Sequence, residues 1–210
     1  MRARRGTGLH TEIVWLAPAA ALLLGYLLGS IPFGVLLTRL GGAGDLRQIG
    51  SGNIGATNVL RTGRKGLAAA TLILDMGKGA AAVLIADALF PGTAMLGGLA
   101  AFIGHCYPVW LKFKGGKGVA TLMGVVLALS WPAGLVYAAV WLGMLAALRI
   151  SSLSGMTAAI SAPVSAAFFD RTELVLMLLA LALIVVWKHR ENIDRLLSGT
   201  EPKVGKKKDG

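Results

Sequence analysis

The sequence predicts an all-α fold: a polytopic integral membrane bundle of about seven transmembrane helices, N-terminus outside and C-terminus cytoplasmic. Three observations carry that prediction. Of 210 residues, 55% are hydrophobic and only 15% charged. The apolar residues form long unbroken runs instead of the short alternating patches of a soluble core. Lysine and arginine gather on alternate connections between those runs, the bias that cytoplasmic flanks show.

The runs are Ile13 to Thr38, Leu67 to Phe90, Ala94 to Leu111, Val119 to Leu148, Leu153 to Phe169 and Leu174 to Trp187, against the ~20 apolar residues a crossing helix needs. The first follows Met1-Arg-Ala-Arg-Arg5 and so resembles a secretory signal. It exceeds an h-region of ~7–15 residues, however, and no small-residue cleavage site leads into a soluble domain. The chain therefore divides into an N-terminal extension over 1–12, a membrane domain over 13–192 and a basic cytoplasmic tail over 193–210.

The second run contains Asp75 and Lys78 at i, i+3, a spacing at which they neutralise one another on one helix face. The fourth decides the topology. As one helix, its 30 residues would extend ~45 Å, well beyond a hydrocarbon core of ~30 Å. Trp131-Pro132 near its middle reads as an interfacial turn, since proline restricts its predecessor and tryptophan favours the interface. That gives seven spans, with Val119 to Ser130 short at ~18 Å of helix. The single cysteine, Cys106, precludes an intramolecular disulfide and reads as a packing residue.

Charge placement tests the count. With seven spans the cytoplasmic side holds Arg39, Arg47, Arg61, Arg64, Lys65, Lys112, Lys114, Lys117, Arg149 and seven further cations from Lys188 onward, leaving only Arg2, Arg4, Arg5 and Arg171 outside. A six-span arrangement divides the same residues almost evenly. The net charge of +11 thus belongs to membrane flanks, and no nucleic-acid partner is expected.

Three polar segments then fall on one side. Arg47 to Arg61 joins glycines to Ser51, Asn53, Thr57, Asn58 and Arg61, a set able to offer backbone N–H groups, neutral hydrogen bonds and a bidentate clamp to a phosphate. Its Gly50-x-Gly52-x-x-Gly55 lacks the preceding strand and βαβ unit of a dinucleotide fingerprint. His105 to Gly118 ends in Gly115-Gly116-Lys117-Gly118, which is not a Walker A loop but can cradle phosphate. His105 itself reads as a satisfied helix histidine. Lys188 to Arg195 places His189 and Asn192 on one helix face and pairs Glu191 with Arg195 at i, i+4.

Taken in order, Gly29-Ser-Ile-Pro-Phe-Gly34, Gly50-Ser-Gly-Asn-Ile-Gly-Ala-Thr-Asn58 with Arg61, Asp75-Met-Gly-Lys-Gly79, Gly104 to Thr121 and His189-Arg-Glu-Asn192 resemble the PlsY family of bacterial acyl-phosphate:glycerol-3-phosphate acyltransferases. The resemblance implies a seven-span enzyme of the bacterial inner membrane, its active site facing the cytoplasm. Such an enzyme moves a fatty acyl group from acyl-phosphate to the 1-hydroxyl of glycerol 3-phosphate, giving lysophosphatidate and phosphate for phospholipid biosynthesis. It implies catalytic roles for Ser51, Arg61, His189 and Asn192 and a phosphate-binding loop at Gly115, Gly116, Lys117 and Gly118. Asn53, Thr57 and Asn58 are expected to orient substrate.

Acyl-phosphate is already activated, so no metal or other cofactor is required. Three routes for the hydroxyl proton or acyl group stay open: His189 as general base, a substrate phosphate oxygen as acceptor, or Ser51 as an acylated nucleophile. The rival to an enzyme is a transporter of a phosphorylated metabolite, which would also carry a basic site and an intramembrane ion pair. Against it, no internal repeat is evident and the polar groups gather at one surface.

Overall fold

The computed structural model describes residues 7–205, with side chains from Trp15 onward; Arg2, Arg4, Arg5 and Lys206 to Lys208 lie outside them. The described residues are helical and contain no strand. The helices are α1 (Thr7–Gly29), α2 (Phe33–Leu40), α3 (Ala56–Leu60), α4 (Lys65–Leu89), α5 (Ala94–Cys106), α6 (Val119–Leu129), α7 (Trp131–Leu148), α8 (Ser151–Phe168), α9 (Thr172–Lys188) and α10 (Arg190–Leu197), with 3-10 turns at Leu46–Gln48 and Val109–Leu111.

The expected span from Ile13 to Thr38 is matched by one apolar stretch over Trp15–Leu40, with a break inside it: helix stops at Gly29 and resumes at Phe33. Pro32 has no N–H and disfavours helix at Ile31, so backbone carbonyls are freed at the break. Other elements satisfy them. Trp110 Nε1 donates to the Ser30 carbonyl at 2.6 Å and Lys78 Nζ to that of Ile31 at 2.7 Å. A broken helix survives in an apolar solvent only when its orphan groups are caught in this way. The expected run from Ala94 to Leu111 is present as a stretch long and apolar enough to cross a membrane, its α-helix passing at Pro108 into the 3-10 turn Val109–Leu111.

The division at Trp131-Pro132 is present, with only Ser130 between α6 and α7 and Pro132 in the first turn of α7, where a missing N–H is harmless. Among the described residues, four helical stretches are long and apolar enough to cross a membrane, or five if α9 and α10, bent by 59°, count as one. α6 has only 11 residues, about 16 Å of helix.

Small residues set the packing. α1 lies on α5 with Gly25 so close that a Cβ there would stand 3.0 Å from Gly97 Cα, and α4 meets α6 where a Cβ on Gly124 would stand 3.0 Å from Ala80 N. Such contacts bring backbones together where apolar burial no longer drives association. The core holds Phe102, Leu122, Val125, Tyr137, Leu178 and Leu181, all fully buried. Outward-facing residues are also apolar: Leu176 is 79% and Leu183 62% exposed, a surface suited to lipid and not to water.

The connections alternate. Those between α2 and α4 and between α5 and α6, with the start of α8 and the segment after α9, line one cavity. The connections at Phe90–Thr93, Ser130 and Phe169–Arg171 do not.

Candidate active site

That cavity, of about 1010 Å³, is lined by Ser51, Asn53, Thr57, Asn58 and Arg61 from the first connection, Lys117 and Gly118 from the second, and His189 and Asn192 from the end of α9 and from α10. All three polar segments therefore meet in one place, although 128 positions separate Arg61 from His189 in the chain. Apolar Leu72 and Trp141 complete part of its wall.

In the first segment, glycine and asparagine shape the loop. Asn58 is buried, donates Nδ2 to the carbonyls of Ile49 (2.8 Å) and Leu46 (3.1 Å), and accepts from Ser51 N at 3.2 Å. Its amide is thus occupied within the protein, so Asn58 holds Ser51 in place instead of presenting its amide to a ligand. Gly50 has φ +57°, and a Cβ there would meet Asn58 Oδ1 at 2.5 Å and Arg61 Cδ at 2.8 Å. Only glycine permits this conformation together with this approach. Asn53 accepts from Gly55 N at 3.0 Å, leaving its amide hydrogens available. Arg61 carries no ion pair among the described residues.

The second segment differs from its expected form. The N–H groups of Gly115 and Gly116 do not form an anion nest: they donate to the carbonyls of Cys106 (3.2 Å) and His105 (3.0 Å), and neither glycine lines the cavity. Glycine is required there for packing, since a Cβ on Gly116 would stand 2.7 Å from His105 Cε1. Gly118 is left-handed at φ +87°, pressed against Phe102, and starts α6 directly after Lys117. Lys117 donates to Asn192 Oδ1. Burial, reinforced by Arg195, lowers its ammonium pKa to about 8 despite the nearby Glu191 and Glu201.

In the third segment the expected Glu191–Arg195 pair is absent. The helix bends at His189, and Arg195 Nε instead bonds Glu201 Oε2 at 2.7 Å, a partner beyond the end of α10. His189 lies buried at that bend with Nδ1 2.8 Å from the Val185 carbonyl. A carbonyl only accepts, so Nδ1 carries the proton and Nε2 a free lone pair. Burial holds the imidazole down at about 4, so it is neutral at pH 7.

Three residues escaped the sequence reading. Ser151 and Ser152 open α8 on the cavity, Ser151 sharing a 2.8 Å hydrogen bond with Thr57. A hydroxyl pair just ahead of an apolar run is a helix-start pattern and could have found them. Glu201 had no comparable local signature. The intramembrane Asp75–Lys78 pair does form, at 2.7 Å, with His105 Nδ1 3.7 Å from Asp75.

A helical membrane protein whose cavity joins cations and hydroxyls to an apolar wall belongs to the class of enzymes and carriers that handle amphipathic phosphate esters. The glycerol-3-phosphate acyltransferase family model matches residues 19–199, and the chain belongs to that family. Glycerol-3-phosphate acyltransferases of Mesorhizobium japonicum and Rhodopseudomonas palustris (strain BisB5) are 58% and 60% identical to it, covering 89% and 90% of this chain and 96% and 97% of their own lengths. Crystal structures of PlsY (YgiH), an integral membrane glycerol 3-phosphate acyltransferase, match in its glycerol 3-phosphate form (TM-score 0.84, 41% identity) and its lysophosphatidic acid form (0.80, 40%). Each covers 90% of this chain, and the chain spans 96% and 95% of theirs.

Proposed function

We propose that this cavity transfers a fatty acyl group from acyl-phosphate to the 1-hydroxyl of glycerol 3-phosphate, releasing lysophosphatidate and inorganic phosphate. The observation that carries the reading is the meeting of Arg61 and Lys117 with Ser51, Thr57, Ser151 and Ser152 in one cavity partly walled by Leu72 and Trp141. Two cations suit two phosphates, hydroxyls orient them, and the apolar wall suits an acyl chain. The ligand named for the related PlsY, glycerol 3-phosphate, has this chemistry.

In the reaction the hydroxyl oxygen bonds to the acyl carbonyl carbon, the bond from that carbon to the phosphate oxygen breaks, and phosphate leaves with the electron pair. The mixed anhydride supplies the activation, so the protein's task is to hold two anions together and aim the hydroxyl. Arg61 and Lys117 offset the repulsion between them. Ser51, Asn53 and Thr57 orient the phosphorylated groups.

The alternation of connections supports seven crossings, α1 with α2 serving as one and the short α6 sheltered by its neighbours. The charge distribution supports placing the cavity on the cytoplasmic side of a bacterial inner membrane, the N-terminus opposite. The residues after 193 extend the membrane domain's site before the basic tail begins.

The test is release of phosphate by purified protein from acyl-phosphate plus glycerol 3-phosphate, with acyl-CoA in parallel. Release requiring both acyl-phosphate and glycerol 3-phosphate is expected. Activity with acyl-CoA alone would overturn the donor, and an acyl-Ser51 adduct by mass spectrometry would overturn direct transfer.

A further inference from the structure

The segment Gly199–Gly205 returns from the end of α10, and its residues 201–205 line the cavity as a strap. It is tied at both ends. Thr200 N and Glu201 N donate to the Arg195 carbonyl at 2.8 and 3.1 Å, while Val204 N donates to Arg149 O at 2.7 Å and its carbonyl accepts from Arg149 Nε at 3.1 Å. Between the ties, the Glu201 side chain is only 5% exposed. Its Oε1 accepts from Ser152 Oγ and Asn192 Nδ2, each at 2.6 Å, and its Oε2 from Arg195 Nε at 2.7 Å.

An asparagine amide can turn either end toward a neighbour, and its neighbours decide which. A carboxylate only accepts and an ammonium only donates. With Glu201 on one side and Lys117 on the other, Asn192 must direct its NH2 to Glu201 and its oxygen to Lys117, the arrangement found. We propose that Glu201 is a positioning residue for acyl transfer, fixing the Asn192 amide so that Asn192 in turn aims the Lys117 ammonium into the cavity. This rests on the substrate-binding role proposed above for Lys117 and Asn192.

Glu201 also balances charge. The titratable groups facing Lys117 are Arg61 from the first connection, His189 at the bend, Glu191 and Arg195 from α10, and Glu201 from the strap. Removing the Glu201 charge leaves Arg195 uncompensated beside Lys117, which disfavours its ammonium. Removing the Arg195 charge does the opposite.

The experiment measures kcat/KM for glycerol 3-phosphate against pH in wild-type protein, Glu201→Gln, Arg195→Gln and Glu173→Gln, the last making the same charge change at the remote Arg171–Glu173 pair. Melting temperature in detergent reports folding. For Glu201→Gln, a roughly ten- to hundredfold fall is expected, with the alkaline limb moved to lower pH. Arg195→Gln moves the limb to higher pH, and Glu173→Gln leaves it in place. Wild-type kcat/KM and limb in Glu201→Gln would overturn the inference, as would limbs of Glu201→Gln and Arg195→Gln that move the same way. Should Glu201→Gln fail to fold, Arg195→Gln decides, and an unmoved limb refutes the proposal. A wild-type protein inactive with both substrates would instead refute the reading of the site.

Discussion

Replacing Lys117 separates its charge from its shape, and the structure gives the size of the effect. Its ammonium is half-buried, bonded to Asn192 Oδ1 and held at about 8 by burial. A hydrogen bond to a charged group contributes about 1.5–3 kcal/mol, so Lys117→Gln should lower kcat/KM for glycerol 3-phosphate by roughly ten- to 150-fold at pH 7. The wild-type advantage should shrink as pH rises, because the binding form is the cation and it is lost as pH passes through about 8. At pH 9.5 only about one free enzyme in thirty carries it, and since kcat/KM reports the free enzyme, the ratio of wild type to Lys117→Gln should fall to roughly one- to sixfold. Lys117→Arg keeps its charge throughout that range and should remove the alkaline limb. The assay is phosphate release at subsaturating glycerol 3-phosphate between pH 6.5 and 9.5. A limb near 8 surviving in Lys117→Arg would show that another group titrates, and a loss under about threefold in Lys117→Gln would remove Lys117 from the phosphate site.

Three further perturbations test the scaffold. Asp75→Ala strands the buried Lys78 ammonium and should destabilise by about 3–5 kcal/mol, seen as a lower melting temperature in detergent, with Asp75→Ala/Lys78→Met recovering only part of it because the Ile31 carbonyl then loses its donor. Gly118→Ala meets both φ +87° and the Phe102 ring; left-handed strain and overpacking of about 1–3 kcal/mol should lower stability, and a displaced Lys117 should lower kcat/KM beyond the fraction unfolded. Gly25→Val opposes the Gly97 backbone and should lower melting by a similar overpacking term while leaving KM of the folded fraction unchanged.

The apolar runs revealed the helices because hydropathy is a local property, and Trp131-Pro132 marked the α6–α7 boundary by chemistry within two residues. The break at Ser30–Pro32 was hidden because its stability depends on Trp110 and Lys78, 80 and 47 positions away. Charge placement gathered the three polar segments on one side, and the cavity unites them. Their internal roles were less legible. Gly115 and Gly116 resemble a phosphate nest in sequence, yet the His105 ring and carbonyl dictate them. Asn58 resembles a ligand-binding amide, yet it staples Ser51. Glu191 has the local spacing to pair with Arg195, but the strap supplies Glu201, and no periodicity reports where a segment past a helix end folds back.

The state of His189 bears on how the substrate hydroxyl loses its proton. A general base works best when its pKa lies near the operating pH, and burial holds this imidazole at about 4. A phosphate monoester, with its second pKa near 6, is the stronger base and is necessarily present in the complex. The Nδ1 proton is committed to the Val185 carbonyl, so neutral His189 offers the substrate a lone pair at Nε2, not a donor. In the proposed reaction an acceptor at that position fixes the direction of the hydroxyl hydrogen and turns the oxygen's own lone pair toward the acyl carbonyl, a task that demands geometry but little basicity. The same burial that makes His189 a poor base keeps it uncharged beside Lys117 and Arg61, where an imidazolium would add a third positive charge. The Val185 hydrogen bond leaves Nε2 as an acceptor on either route; it is the lowered pKa that favours orientation by His189 with proton transfer to a substrate phosphate over general-base catalysis.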